Sequence, residues 1–140
     1  MASLCVSDEI KQIYKELAIK RKYQGLILKL NKDQTLTVEH TIDEVSQEHQ
    51  EYLDMIPENE PRFVILEIKI KNEDSSSSDD IILITYCPFH VIEKNSKFLY
   101  ASGTNSLLRQ LVPNIGFNFQ YDEKQEMTFE KIKAKIQEKR

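Results

Sequence analysis

The residues able to do chemistry in this chain are few and scattered. Cys87-Pro88-Phe89-His90 sets a thiol and an imidazole three residues apart, the spacing of half a tetrahedral metal site. No second pair completes it: His40, His49 and Cys5 are remote in sequence. A nucleophilic Cys87 would need a neighbouring base and a lowered pKa. The sequence suggests neither, and a core thiol at a strand end is the simpler reading. His49 reads as a half-buried packing residue. Gly25, Gly103 and Gly116 lie too far apart to cradle a phosphate. The carboxylates form no recognisable acid–base pair. The expectation is a binding protein and not an enzyme, with no metal and no cofactor.

Charge is more informative. The net charge of −4 disfavours a general nucleic-acid binder. From Glu39 to Glu60 there are eight acids and no Lys or Arg. From Phe129 to Arg140 there are five basic residues, Lys131, Lys133 and Lys135 among them, against two acids. Lys20, Arg21 and Lys22 form a second basic cluster. Such runs are usually solvated faces; they also suit electrostatic steering onto a partner. Two cysteines make no disulfide framework and fit a reducing compartment. The start, MASLCVSDEIKQ, lacks a basic region and a long apolar run, so no signal peptide is expected, and Ala2 excludes myristoylation. Apolar runs of four or five residues predict no membrane span.

The elements that would position these groups follow from spacing. Ser7 before Asp8 and Glu9 predicts a capped helix with Ile10, Ile13, Tyr14 and Leu17 on one face, fading at Lys20–Lys22. Residues 25–30 and 35–40 read as strands joined by the polar turn 31–34. Residues 42–56 carry Val45, His49, Tyr52, Leu53 and Ile56 at helical spacing and predict a second helix. In 62–71, Val64, Leu66, Ile68 and Ile70 alternate with Glu67, Lys69 and Lys71, predicting a strand with one core face and one polar face. Residues 72–80 read as an acidic, serine-rich hairpin loop, 80–86 as the returning strand and 117–122 as a short fifth strand. Thr128 caps a last helix with Phe129, Ile132 and Ile136 as its apolar stripe. The order α β β α β β α β α in 140 residues predicts one sheet covered by helices on both faces.

Between the fourth and fifth strands lies KFLYASGTNSLLRQLV, residues 97–112. It has helical spacing, yet Lys97 and Arg109 are its only ionised residues and Gly103 sits mid-helix, where it costs about 1 kcal/mol relative to alanine. Such a helix either packs its glycine on the sheet or lies in a cleft of a partner. In the second case Ser102, Gly103, Thr104 and Asn105 allow close approach while Lys97 and Arg109 fix orientation.

Lys97-x-x-Tyr100-Ala101-Ser102, opening a long helix, resembles the actin-depolymerising-factor homology domain of cofilin and its relatives. Residues 2–17, MIPENEPRFVIL (55–66) and IILITYCP (81–88) resemble the family's tail and first helix, third strand and fourth strand, in order. The resemblance implies an α+β fold: a single domain, residues 7–140, with a central mixed five-stranded sheet flanked by two helices on each face, behind a flexible tail, 1–6. Thr104, Leu108, Arg109 and Gln110 stand where cofilins carry lysines, so most of that charge is gone, and Phe98 and Leu99 stand where a methionine precedes the Tyr-Ala. Pro61-Arg62-Phe63 and Leu107-Leu108 are similar to the glia maturation factor branch. That branch implies binding to the actin-related protein 2/3 complex, inhibition of branch nucleation and debranching of filaments. The alternative is a cofilin-type protein that severs and depolymerises filaments; the start of the chain is cofilin-like, with Ser3 where cofilins can be phosphorylated. The partner surface on either reading is Ser3, Lys20, Arg21, Lys97, Ser102, Thr104, Asn105 and Arg109, with Lys131, Lys133 and Lys135 making a second contact. The resemblance further implies a cytoplasmic monomer at cortical actin, binding neither membrane nor nucleic acid.

Overall fold

The computed structural model describes residues 6–71, 77–90 and 94–139. The elements are α1 (Asp8–Ala18), β1 (Gly25–Leu30), β2 (Leu36–Ile42), α2 (Tyr52–Met55), β3 (Arg62–Lys71), β4 (Ser77–Tyr86), α3 (Lys94–Gln110), β5 (Phe117–Tyr121) and α4 (Phe129–Glu138), the last preceded by a 3₁₀ turn at Lys124–Met127. The sheet order is β2-β1-β3-β4-β5. Every pairing is antiparallel except β4 with β5. A parallel pair needs a crossover, and α3 supplies it.

The side-chain period of a strand sends alternate residues to opposite faces. On β3, Val64, Leu66, Ile68 and Ile70 join one core with Tyr52 of α2 and Phe129, Ile132 and Ile136 of α4. Phe63 and Ile65 join the other with Ile10, Tyr14 and Leu17 of α1 and Tyr100 and Leu107 of α3. Two helices therefore cover each face, as the resemblance implies.

Four expectations need correction. The predicted helix over 42–56 is a helix only at Tyr52–Met55. Ile42 ends β2, and nearby side chains hold the segment down: Gln24 Oε1 accepts from the Val45 amide at 2.8 Å, and Tyr52 Oη donates to the Met127 carbonyl at 2.7 Å. Acids crowded at 43, 44, 48 and 51 also repel one another on a helix. Asp79, expected in the hairpin loop, pairs with Lys69 inside the strand ladder, so the strand begins before the expected Asp80, while 72–76 lie outside the described residues. Glu67, expected in solvent, is 2% exposed. Val6 is no tail residue: it is buried and its amide donates to Gln110 Oε1 at 3.0 Å. The remaining tail, 1–5, is outside the described residues. In addition, α3 begins three residues earlier than expected, at Lys94, and Thr128 precedes α4 without a side-chain capping bond.

Candidate functional site

The inward side of α3 is fixed by its contacts. Tyr100 stacks on Phe63 with ring centroids 4.6 Å apart, and its hydroxyl accepts the Leu30 amide at 2.8 Å. Burial raises its pKa, so it stays neutral. Thr104 is 4% exposed; its Oγ1 donates to the Tyr100 carbonyl at 3.0 Å and lies 2.6 Å from Thr85 Oγ1. Leu107 is fully buried. Just past the helix, Tyr14 Oη donates to the Pro113 carbonyl and fastens that end to α1.

With that side committed, 3.6 residues per turn sends Lys97, Phe98, Ala101, Asn105 and Arg109 outward. Phe98 is 56% exposed, and Val112 continues the stripe at 61%. This face is apolar and small in the middle, with one cation near each end. Lys97 is not a freely extended cation: its Nζ donates to the Phe89 carbonyl at 3.2 Å and sits 5.3 Å from the Phe89 ring centroid. Phe89 is 72% exposed. Arg109 reaches back toward the Asn105 carbonyl at 3.4 Å and stays exposed.

Behind Phe89, at the carboxyl ends of β4 and β5, a cleft of about 470 Å³ is lined by Cys87, Phe89, Lys97, Ala101 and Tyr121, among others. Burial pushes the Cys87 thiol up, and nearby Lys97 only partly offsets this. Cys87 is therefore a protonated thiol at neutral pH, not an activated nucleophile. Among the described residues no group of three or more His, Cys, Asp or Glu could hold a metal ion.

The predicted site residues divide as follows. Lys97, Asn105 and Arg109 share the outward stripe, with Ser102 half-buried at its edge. Thr104 faces the sheet, because it lies one turn after buried Tyr100 and its Oγ1 meets Thr85 of β4; it is withdrawn from the site. Lys20 is exposed, but Arg21 is engaged internally, hydrogen-bonded to Asp79 and 3.8 Å from Glu67. Ser3 lies outside the described residues. Lys131 is exposed and pairs with Glu126 at 3.6 Å, Lys133 is half-buried, and Lys135 lies 5.0 Å from the Tyr121 ring centroid and 5.2 Å from that of Phe119. Arg62 of the Pro-Arg-Phe motif is 4% exposed and grips Glu39 with two bonds, at 3.0 and 3.2 Å. That motif thus has a structural role in the domain. Phe89 and Val112 were missed: nothing in their spacing marks them as surface aromatic or aliphatic anchors.

The family model for cofilin/tropomyosin-type actin-binding proteins matches residues 3–137. The chain belongs to that family. The actin-depolymerizing factor of Lilium longiflorum is 27% identical over 135 residues, 96% of this chain and 95% of the relative. Actin-depolymerizing factor 1 of Petunia hybrida is 26% identical over 110 residues, 79% of this chain and 78% of its own length. Among solved structures, actin depolymerization factor 2 of Plasmodium berghei matches with a TM-score of 0.82 at 22% identity, covering 97% of this chain and 98% of that one. Glia maturation factor of Caenorhabditis elegans matches at 0.70 and 24% identity, covering 90% and 92%. At these identities the structural matches speak for the fold, and both branches of the family share it. No described helix is long and apolar enough to cross a membrane.

Proposed function

We propose that this protein binds actin through the outward stripe of α3 and regulates filament turnover as actin-depolymerising factors do, in the cytoplasm. The observation that carries this reading is the stripe itself. Phe98, Ala101, Asn105 and Arg109 face solvent on a helix whose other side is locked to the sheet. A rigid helix with an aromatic anchor, a small centre and a terminal cation suits insertion into an apolar groove of a partner. Phe89 and Lys97 extend the surface beyond the helix. The names of the curated relatives support actin as the partner.

A second reading is favoured by one feature. Uncharged Leu108 and Gln110 leave α3 with Lys97 and Arg109 as the only charged residues in its last fourteen positions. That poverty of charge fits the glia maturation factor branch, which the resemblance links to the actin-related protein 2/3 complex. Cosedimentation with actin filaments, run beside pull-down of that complex, separates the two. Pelleting with bare filaments supports the first reading. Capture of the complex without filament binding supports the second.

A further inference from the structure

Glu67 is a carboxyl group in a place where carboxylates are rarely found. It lies on the α1/α3 side of β3, after Phe63 and Ile65, both fully buried, and before exposed Lys69. It therefore sits at the end of the buried run on this face of β3, one step before solvent. It is 2% exposed, and its Oε1 has no hydrogen-bond partner. The charged groups around it are Arg21 from the α1–β1 connection, Asp79 from β4 and Lys69 from β3, with Gln24 adding a neutral amide. Arg21 Nη1 is hydrogen-bonded to Asp79 and stops 3.8 Å short of Glu67 Oε1. Arg21 holds this position with φ of 56°, a left-handed conformation uncommon for a non-glycine residue.

We infer that Glu67, with Arg21 and Asp79 above it, is a proton-operated latch under the base of the β3–β4 hairpin. Protonated, Glu67 is a neutral side chain compatible with burial, and the hairpin base stays closed. Ionised, the carboxylate gains hydration only by reaching water, which favours an opened base. Arg21 opposes that opening through its attraction to the charge, and Asp79 promotes it by like-charge repulsion. Burial raises the pKa of Glu67, Arg21 and Lys69 lower it, and Asp79 raises it. The sign follows: the closed state has the higher pKa, so it is favoured below the open-state pKa and loses ground as pH rises through the closed-state pKa. The device regulates how much of the hairpin base is displayed and is independent of which partner α3 binds.

The test is hydrogen exchange at the amides of 67–70 and 79–82, corrected for intrinsic exchange, with the Glu67 carboxyl carbon titrated by NMR in the same samples. Protection is expected to fall as Glu67 ionises, by up to about tenfold for each unit of pKa shift. Glu67→Gln should abolish this pH response. Asp79→Asn keeps the Glu67 carboxyl but removes the like charge beside it and weakens the hold on Arg21, so it should move the Glu67 midpoint to lower pH and the loss of protection with it. Flat protection in the parent protein while Glu67 titrates overturns the latch. So does an unaltered pH response in Glu67→Gln, or a midpoint in Asp79→Asn that stays put or rises.

Discussion

Thr104 of α3 and Thr85 of β4 meet through side-chain oxygens 2.6 Å apart in the core. This contact decides which side of the long helix is left for a partner. Thr104 also donates to the Tyr100 carbonyl within its own helix, so Thr85 supplies the proton between the two hydroxyls. Together with Tyr100 and Leu107, which are buried on the same side, the pair sets the rotation of α3 about its axis and turns Phe98 and Asn105 outward.

Thr104→Val should destabilise the fold by about 1–3 kcal/mol, because Thr85 is left buried without its partner. Thr85→Val combined with Thr104→Val should lose less than the single variant, since both polar groups are then gone. Urea unfolding of the three proteins checks this. Partner affinity should hold in every variant that folds.

Gly25 starts β1, flanked by Ile42 and Leu66 on the neighbouring strands. A Cβ there would come within 2.9 Å of Ile42 Cδ1 and 3.1 Å of Leu66 Cδ2. Gly25→Ala should therefore overpack the sheet and cost about 1–3 kcal/mol. A thermal midpoint equal to the parent's would show that the two side chains give way freely.

The sheet was legible because its strands alternate and its turns are polar, and the apolar stripes of α1 and α4 matched the buried residues. Alternation misled at Glu67. A sheet covered on both faces has no solvent side along most of its length, so a polar residue in the pattern can still be buried. Spacing also misled over 42–56. Val45, Tyr52 and Ile56 are buried as expected, but the Val45 amide donates to Gln24 outside the segment, and only Tyr52–Met55 is helical. In the candidate site, Lys97 and Arg109 could be picked from charge alone. The inward turn of Thr104 and the exposure of Phe89 depend on β4 and on a turn geometry that no local pattern encodes.

The lysines of α4, Lys131 and Lys135 on one side of its buried stripe and Lys133 on the other, should serve a contact made only with assembled filaments. Lys131→Ala, Lys133→Ala and Lys135→Ala together should leave monomer binding within about twofold and reduce severing in filament microscopy several-fold. Stability should change by less than about 1 kcal/mol, since the stacking of Lys135 on Tyr121 and Phe119 is a weak surface interaction. Unchanged severing combined with lost monomer binding would reverse the roles assigned to α3 and α4.

The most direct test of the α3 surface is actin cosedimentation of the parent protein against the Phe98→Ala, Arg109→Ala double variant. Both side chains are exposed, so unfolding free energies should agree to within about 0.5 kcal/mol. The parent should pellet with actin filaments and the variant should lose affinity by at least about tenfold, the effect of removing an interface anchor. A variant that pellets as the parent does, at equal stability, would contradict the binding role of α3.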